Sequence, residues 1–466
     1  MLPHRAAFDR FRYFILGLGL LCLAAIACNH SIINFAFICM TGDKDDVIET
    51  SNGTLRQRYD YTPTEKSAII WAVAIGTIVG TFPINWAYIR WGARIPFFVS
   101  GLISAAATAL SPAAAHHSLW TFVAIRFLQG LAYSADFAAI GIIVVRWSPI
   151  SQTAIFISFL TCFSSIAHSV TNPLAGAFCT SSFGWRGAFY FHAILTAVLF
   201  VIWVIIYHDD PQYHRSVSHK ELAVIQENKT KEHIERDSFV PYWEICTNKA
   251  ILVVWFNALT ELVGYLIMLT YAPIYINKVL GYSITETSYL ASFGALLHTP
   301  IKIICGILSD KITCIPEKPK MCFFNTIAVG LAGILCGAIG FMPSPLFAVL
   351  CLAAAGAISG ANTAGFYKCA SLHSRQYAHF VLATVQFSKC AALVIGPAMV
   401  AIFLKSDADA NGWIVIFLIN AVVQLVANTL FYFTASAVPA EFTKITRHNR
   451  AGVKDSEKGV EMEKVE

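Results

Sequence analysis

Charged side chains are scarce in this sequence. Only 13% of its 466 residues are Asp, Glu, Lys or Arg, whereas 56% are hydrophobic. Soluble globular domains have about 25% charged residues, so this composition excludes an ordinary water-soluble fold. We therefore interpret the formal net charge of +5 by its position along the chain, and we expect no nucleic-acid partner.

Motifs of familiar enzyme chemistry are also missing. The sequence has no phosphate-binding glycine loop with Gly-Lys, no HExxH and no GxSxG, so nothing supports ATP hydrolysis or peptidase chemistry. We expect no catalytic residues and no cofactor. His168 and His298 lack metal-ligand spacing and are interpreted as core histidines, so no metal site is predicted.

Thirteen cysteines are present, without a CxxC pair. Most of them lie in apolar segments, where a cysteine usually serves as a small core residue. Cys39 and Cys179 both fall near the predicted outer face, and the sequence alone leaves their pairing open.

Twelve long apolar segments occupy most of the chain. A bilayer core of about 30 Å requires about 20 apolar residues in one helix. The sequence therefore predicts an all-α membrane protein with twelve transmembrane helices in two six-helix bundles. These spans 1 to 12 lie at 13–40, 67–89, 95–114, 119–145, 153–178, 187–207, 250–275, 287–308, 322–342, 346–368, 379–404 and 413–436.

A charged stretch separates the first six spans from the last six. Two such groups are typical of secondary transporters, in which two bundles rock about a central site. The predicted parts are an N-terminal segment at 1–12, an N-terminal bundle at 13–207, a central loop at 208–249, a C-terminal bundle at 250–436 and a tail at 437–466.

The positions of Lys and Arg predict the orientation. Loops rich in these residues face the cytoplasm, and basic residues gather before span 1, between spans 2 and 3, at the end of span 4 and after span 8. We therefore expect both termini and the central loop to be cytoplasmic. The loop at 41–66 would then face the lumen or the outside, together with the glycosylation sequon of Asn52.

Several motifs resemble those of one transporter family. They are Arg90 to Arg94 between spans 2 and 3, Gly306 to Lys311 after span 8, Arg126 to Leu131 in span 4, Arg146 to Pro149, and Pro173 to Gly176. Together they resemble the major facilitator superfamily, in particular its anion/cation symporter branch of sodium/phosphate cotransporters, sialic acid transporters and vesicular glutamate transporters. The resemblance covers about 11–437.

This resemblance implies transport of a small organic anion or phosphate by alternating access, coupled to protons or sodium. The partners would be that substrate, a co-transported H⁺ or Na⁺ and membrane lipids. The location would be the plasma membrane or an endolysosomal or vesicular membrane. The resemblance also assigns gating to the loops with Arg90, Gly92, Arg94 and Asp310.

Charged residues inside the spans are the candidate site. One charge near the bilayer centre costs about 2.5–3.5 kcal/mol on insertion scales, so each needs a partner or a cavity. By the resemblance, Arg126 matches the family's span-4 arginine and Asn29 a span-1 asparagine. Tyr133 stands in place of a glutamate linked to proton coupling, and Glu261 in place of a substrate-binding arginine.

Three lysines within spans are not typical of the family. Lys302 and Lys368 lie close enough to helix ends to extend toward the interface. Lys389 is deeper, and Glu261 is its natural partner to consider. We thus predict substrate binding by Arg126, Glu261, Lys389, Asn29 and Tyr133, and coupling by Glu261 or Asp136.

Two other interpretations stay open at this point. In the first interpretation the substrate is neutral or cationic, because Glu261 stands where the family has a substrate-binding arginine. In the other, the chain is a transport-inactive sensor or scaffold on the same fold.

The predicted orientation is testable through its sequons. We expect glycan on Asn52 and none on Asn228, because only the lumenal side is glycosylated. In eukaryotic cells, Asn52→Gln should abolish the mass shift on glycosidase treatment, and Asn228→Gln should leave it unchanged. A glycan on Asn228 would reverse the orientation.

Overall fold

The chain is described by a computed structural model that covers residues 9–41, 47–49, 55–57, 59–149, 152–227 and 241–444. The sequons of Asn52 and Asn228 lie outside these residues, so the glycosylation prediction stays a prediction.

The first half of the chain forms six helical spans. Their bounds are Phe11–Met40 for span 1, Pro63–Trp91 for span 2, Arg94–His117 for span 3, Leu119–Tyr133 with Asp136–Trp147 for span 4, Thr153–Thr161 with Phe163–Cys179 for span 5, and Gly184–Ile206 for span 6. Two short antiparallel strands, Val47–Glu49 and Leu55–Gln57, lie between spans 1 and 2.

The second half also forms six helical spans, and its helices are more irregular. Span 7 is Lys249–Ile274 with a π-helical end at Tyr275–Val279, span 8 is Ile284–Lys311, span 9 is Glu317–Asn325, Thr326–Leu331, Ala332–Ala338 and Ile339–Phe341, span 10 is Pro345–Ile358, Ser359–Ala364 and Phe366–Ser374, span 11 is Ala378–Phe403, and span 12 is Ala410–Thr434. Short helices at Pro211–Tyr213, His219–Gln226 and Tyr242–Cys246 connect the halves, and Arg375–Tyr377 and Glu441–Lys444 are 3₁₀ turns.

Span 5 is the predicted span that has no continuous helix long enough to cross a membrane among the described residues. Among the described residues, eleven helices are long and apolar enough to cross a membrane. Span 5 is interrupted at Cys162, whose N–H turns back to the carbonyl of Phe159 at 3.3 Å in a tighter 3₁₀ bond. Its two helices still cover the predicted segment, so the all-α fold is confirmed, with span 5 divided into two shorter helices.

Spans 2 and 8 begin with the same local device, a capping box. Thr62 accepts a hydrogen bond from the Glu65 N–H at 3.3 Å, and the Glu65 carboxylate accepts one from the Thr62 N–H at 2.7 Å. Ser283 and Glu286 repeat this exchange at 3.3 and 3.0 Å. Each box satisfies N–H groups that a helix start leaves unpaired, so both spans start sharply at equivalent places in the two halves.

One end of the molecule, called here the disulfide end, holds the two halves together. The Cys39–Cys179 disulfide joins spans 1 and 5 there and forms the pairing that the sequence left open. At the same end, Lys66 of span 2 forms an ion pair with Asp407, in the loop between spans 11 and 12.

Span 2 also contacts span 11 directly. The Ser67 hydroxyl donates to the carbonyl of Pro397 at 2.9 Å, and the Trp71 indole N–H donates to that of Val394 at 2.8 Å. The disulfide end is therefore closed between the halves.

The opposite end, called here the amino-terminal end, ties the central loop to span 1. The carboxylate of Glu221 accepts hydrogen bonds from the backbone N–H groups of Phe11 and Arg12, both at 2.9 Å, and pairs with the Arg12 guanidinium at 3.2 Å. Ser218 caps the Glu221 helix through a bond from the Glu221 N–H at 3.1 Å. The central helix is thus fixed against the N-terminal bundle.

Glycines bring spans 2 and 4 into backbone contact. A methyl group added at Gly130 would collide with the carbonyl oxygen of Val73, and one added at Gly76 would collide with that of Phe127. Small residues allow such close approach between membrane helices. The crossing places Arg126 and Tyr133 next to the neighbouring helices of their own bundle.

This crossing yields a stability prediction. Gly130→Ala should destabilise the protein by about 1–3 kcal/mol, because the crossing has no space for an added methyl. Gly141→Ala in the same span is the matched control, since nothing lies within 4 Å of its added methyl. Thermal unfolding of the two purified variants in detergent compares them, and equal melting temperatures would contradict the close crossing.

Candidate functional site

The fourth span of each half is discontinuous near its middle. Span 4 breaks at Ser134 and Ala135, between Tyr133 and Asp136, and span 10 narrows to a 3₁₀ segment at Ser359–Ala364. Interrupted spans at corresponding positions of two halves mark the binding region of many transporters. The two breaks therefore locate the candidate site at the centre.

The interrupted segment of span 10 is rich in glycine and packs closely against span 8. A methyl group at Gly360 would approach the carbonyl oxygen of His298 to 2.7 Å, so the 3₁₀ segment lies directly against span 8. Thr363 adds a hydrogen bond from its hydroxyl to the carbonyl of Lys302 at 3.3 Å. The segment is held by span 8 while its own helix is interrupted.

Arg126 is buried within the N-terminal bundle and is only 1% exposed. Its guanidinium donates to the Gln129 side-chain oxygen and, at 2.9 Å, to the backbone carbonyl of His30. Its Nε–H has no hydrogen-bond partner. Among the described residues, no carboxylate lies within ion-pair distance of Arg126, so neutral groups alone surround this cation.

Asn29 belongs to the same polar network. Gln129 donates to the carbonyl of Asn29 at 3.3 Å and to the hydroxyl of Thr108 at 2.8 Å. The Asn29 amide in turn donates to Ser104 at 2.9 Å and Thr196 at 3.0 Å. Spans 1, 3, 4 and 6 therefore position Arg126 together.

Lys389 of span 11 lies across from this network and joins the two halves. Its ammonium is 3.5 Å from the Asp136 carboxylate. It also lies over the rings of Tyr133 and Phe163, at 4.6 and 5.2 Å from their centroids. Ion-pair and cation–π contacts both offset the cost of burying the ammonium.

The hypothesis that Glu261 pairs with Lys389 is therefore wrong. Asp136 is the ion-pair partner of Lys389, because span 11 turns its lysine toward the N-terminal half while Glu261 turns toward span 10. The Glu261 carboxylate accepts a hydrogen bond from the Asn362 amide at 3.3 Å. Lys302, half-buried on span 8, lies within electrostatic range of Glu261.

Glu261 and Asn362 each keep one buried oxygen without a hydrogen bond. These atoms are Glu261 Oε2 and Asn362 Oδ1. The two side chains are only 3% and 5% exposed. Buried polar atoms are nearly always paired in native proteins, so this arrangement calls for a further bonding partner.

The remaining sequence candidates lie at the amino-terminal end. Gly92 has φ of +73°, and its neighbour Ala93 donates its backbone N–H to Asp209 at 2.6 Å. Arg94 donates to the carbonyl of Val204 at 2.9 Å, whereas Arg90 is exposed. Burial raises the pKa of Asp209.

Two further residues from the sequence analysis, Asp310 and Lys368, lie in the C-terminal half near the ends of spans 8 and 10. The side chain of Asp310 lies outside the described part of the chain. Lys368 lies near the end of span 10, where it pairs with Glu317 at 3.2 Å. The structure thus brings Arg126, Asn29, Tyr133, Asp136, Lys389 and Glu261 to the central region and leaves the loop residues apart from it.

Sequence reasoning missed His30 and Asn362. The His30 ring lies 4.2 Å from that of Tyr133 and 6.5 Å from that of His168. His30 lies in span 1, and Asn362 lies in the 3₁₀ segment of span 10. In each case a polar side chain inside an apolar span was the available signal.

The pair between Asp136 and Lys389 yields a second stability prediction. Asp136→Asn or Lys389→Met alone should destabilise the protein by about 3–5 kcal/mol, since each removes one charge of a buried ion pair. The double variant should lose less than the sum of the two. Thermal unfolding of the three variants measures the coupling.

The exposed pair of Arg146 and Asp210, at 2.8 Å, is the control. Its side chains are 40% and 41% exposed, so Asp210→Asn should cost only about 0–1 kcal/mol. Strict additivity at the central pair would contradict a direct interaction there.

Known proteins resemble the chain along most of its length. It is 30% identical over 258 residues to the probable galactarate/D-glucarate transporter GudP of Bacillus subtilis (strain 168), which covers 52% of this chain and 55% of that relative. It is 21% identical over 456 residues to the sodium-dependent phosphate transport protein 1 of Homo sapiens, covering 95% and 97%.

A solved structure has the same fold. A bacterial homologue of the human lysosomal transporter Spinster superposes with a TM-score of 0.70 at 13% identity, over 92% of this chain and 98% of that one. The family model described as Major Facilitator Superfamily matches residues 19–397. With its multi-pass helical fold and its two interrupted fourth spans, the chain belongs to the major facilitator superfamily and is a transporter, not an enzyme.

Proposed function

We propose that this transporter moves a small organic anion or phosphate by alternating access. One observation carries the proposal: the buried guanidinium of Arg126 has only neutral hydrogen-bond partners among the described residues. A buried cation without a counter-charge is costly, and an anionic substrate would supply that charge.

The chemistry of a guanidinium narrows the substrate class. Its planar array of N–H groups matches a carboxylate or a phosphate through paired hydrogen bonds, and the Arg126 Nε–H is still unbonded. Two relatives are named as transporters of galactarate/D-glucarate and of phosphate. These solutes are anionic, and both present oxygens that such a group would bind.

Alternating access would operate through the contact between the halves. The disulfide end is closed by Lys66 with Asp407 and by Trp71 with Val394. An anion that binds near Lys389 would compete with Asp136 for its ammonium and loosen the central pair. We expect opening at the disulfide end to follow, as the two bundles rock about the bound substrate.

The cellular arrangement belongs to the same proposal. The termini and the central loop would be cytoplasmic, so the disulfide end would face the lumen or the outside. The membrane would be the plasma membrane or an endolysosomal or vesicular one, and transport would be coupled to protons or sodium.

Glu261 supports a second candidate. Its buried Oε2 atom lacks a hydrogen bond, so a neutral or cationic solute with a donor group would find a partner there. The two candidates place the substrate in different halves, at Arg126 or at Glu261.

The test is uptake into liposomes that contain the purified protein. Labelled D-glucarate, phosphate, a neutral hexose and an organic cation are compared in wild type and Arg126→Gln. We expect anion uptake in wild type and a loss of about 10- to 100-fold in the variant, as the removal of one charged hydrogen-bonding group costs about 1.5–3 kcal/mol.

Lys278→Gln is the matched control, because it removes one exposed positive charge at the disulfide end. It should transport like wild type. Uptake of the cation alone, unaffected by Arg126→Gln, would transfer the site to Glu261, and the absence of flux for every solute would contradict both candidates.

A further inference from the structure

We propose that Glu261 and Asn362 together form a proton-binding site, and that this site couples proton movement to transport. The proposal deepens the proposed function, on which its coupling role rests. The binding of the proton itself is measurable without any substrate.

The bonding pattern of the two side chains carries the inference. The Asn362 amide N–H already donates to Glu261 Oε1 at 3.3 Å, and the free oxygens of the pair are Glu261 Oε2 and Asn362 Oδ1. A carboxylate only accepts hydrogen bonds, whereas a protonated carboxyl group also donates one. A proton on Oε2 would therefore donate to Oδ1 and close a ring of two hydrogen bonds.

One proton would thus place both unbonded oxygens, Glu261 Oε2 and Asn362 Oδ1, in a hydrogen bond. An unpaired buried acceptor is unfavourable, and the two side chains are only 3% and 5% exposed. The proton adds to Oε2 from water when the site is open and leaves by the same route, and no other covalent bond changes.

Lys302 stabilises the deprotonated state of Glu261. It is half-buried on span 8 and lies within electrostatic range of Glu261, so it compensates the charge of the carboxylate. The site then has two states, a neutral acid bonded to Asn362 and a carboxylate balanced by Lys302.

Other titratable groups surround the site from the neighbouring spans. Tyr265 of span 7 and Tyr367 of span 10 lie within electrostatic range of Glu261. Cys162 of span 5 and His298 of span 8 interact with Lys302, and Lys389 of span 11 pairs with Asp136. Glu261 is the only carboxyl group among these neighbours of Lys302.

The site is placed to transmit its state to the bundle. Asn362 lies in the 3₁₀ segment that interrupts span 10, and Thr363 of that segment bonds to the backbone of Lys302. Loading Glu261 with a proton would therefore add a second hydrogen bond between span 7 and a segment already attached to span 8. This link joins three spans of the C-terminal half at the level of the substrate site.

Infrared spectroscopy of the reconstituted protein tests proton binding directly. As the pH is lowered, wild type should gain the C=O band of a buried protonated carboxyl group. Glu261→Gln should lack this band, because its amide does not titrate. Asn362→Val should keep it at a higher frequency, since the carboxyl group has lost its hydrogen bonds.

Glu244→Gln is the matched control, because it removes an exposed carboxylate at the amino-terminal end. The band should be unchanged in this variant. A titrating band that persists in Glu261→Gln would overturn the proposal, as would a wild-type band that disappears when sodium replaces N-methylglucamine at constant pH.

Uptake of labelled D-glucarate and phosphate tests the coupling role separately. A gradient of one pH unit supports about tenfold accumulation of a solute that moves with one proton. The ratio of uptake with and without that gradient should fall from about tenfold toward one in Glu261→Gln. An unchanged ratio would overturn coupling at Glu261, whereas absence of flux in wild type would remove the proposed function and leave the infrared result intact.

Discussion

The cost of burying a charge in hydrocarbon governs the centre of this protein. Every ionic side chain there needs a partner or a protein-lined cavity, and the chain meets this need in three different ways. Lys389 has an ion pair with Asp136 and the faces of two aromatic rings. Arg126 has neutral oxygens, and Glu261 has the amide of Asn362 with the hydroxyl of Ser359 nearby. The first arrangement is complete, whereas the other two leave polar atoms unbonded.

Backbone irregularity accompanies these charges. Membrane helices keep their hydrogen bonds inside the helix, and breaks are tolerated only where protein or water surrounds them. Span 4 breaks directly before Asp136, and span 10 changes pitch at the segment that holds Asn362. The same residues that bring polar groups into the core thus also free the backbone to move there, which links the chemistry of the site to its mechanics.

The sequence predicted the fold more closely than the site, for a physical reason. Span positions follow from the length of apolar runs, so the predicted and observed helices agree even where Cys162 interrupts span 5. Side-chain partners depend instead on how each helix is rotated about its axis, and apolar runs carry little of that information. Glu261 was the partner considered for Lys389, yet Lys389 pairs with Asp136 and Glu261 bonds to Asn362. The contacts of His30 and Asn362 became visible only when the neighbouring spans were in place.

The charges of the site explain how an anion and a proton would assist one another. Arg126, Lys302 and Lys389 supply three positive charges at the centre, and Asp136 and Glu261 supply two negative ones. Protonation of Glu261 would raise the positive excess and strengthen the binding of an anion at Arg126. By reciprocity, a bound anion would raise the affinity of Glu261 for its proton by the same factor. Coupling would then require no direct contact between the two ligands, only a shared electrostatic field in a dry interior.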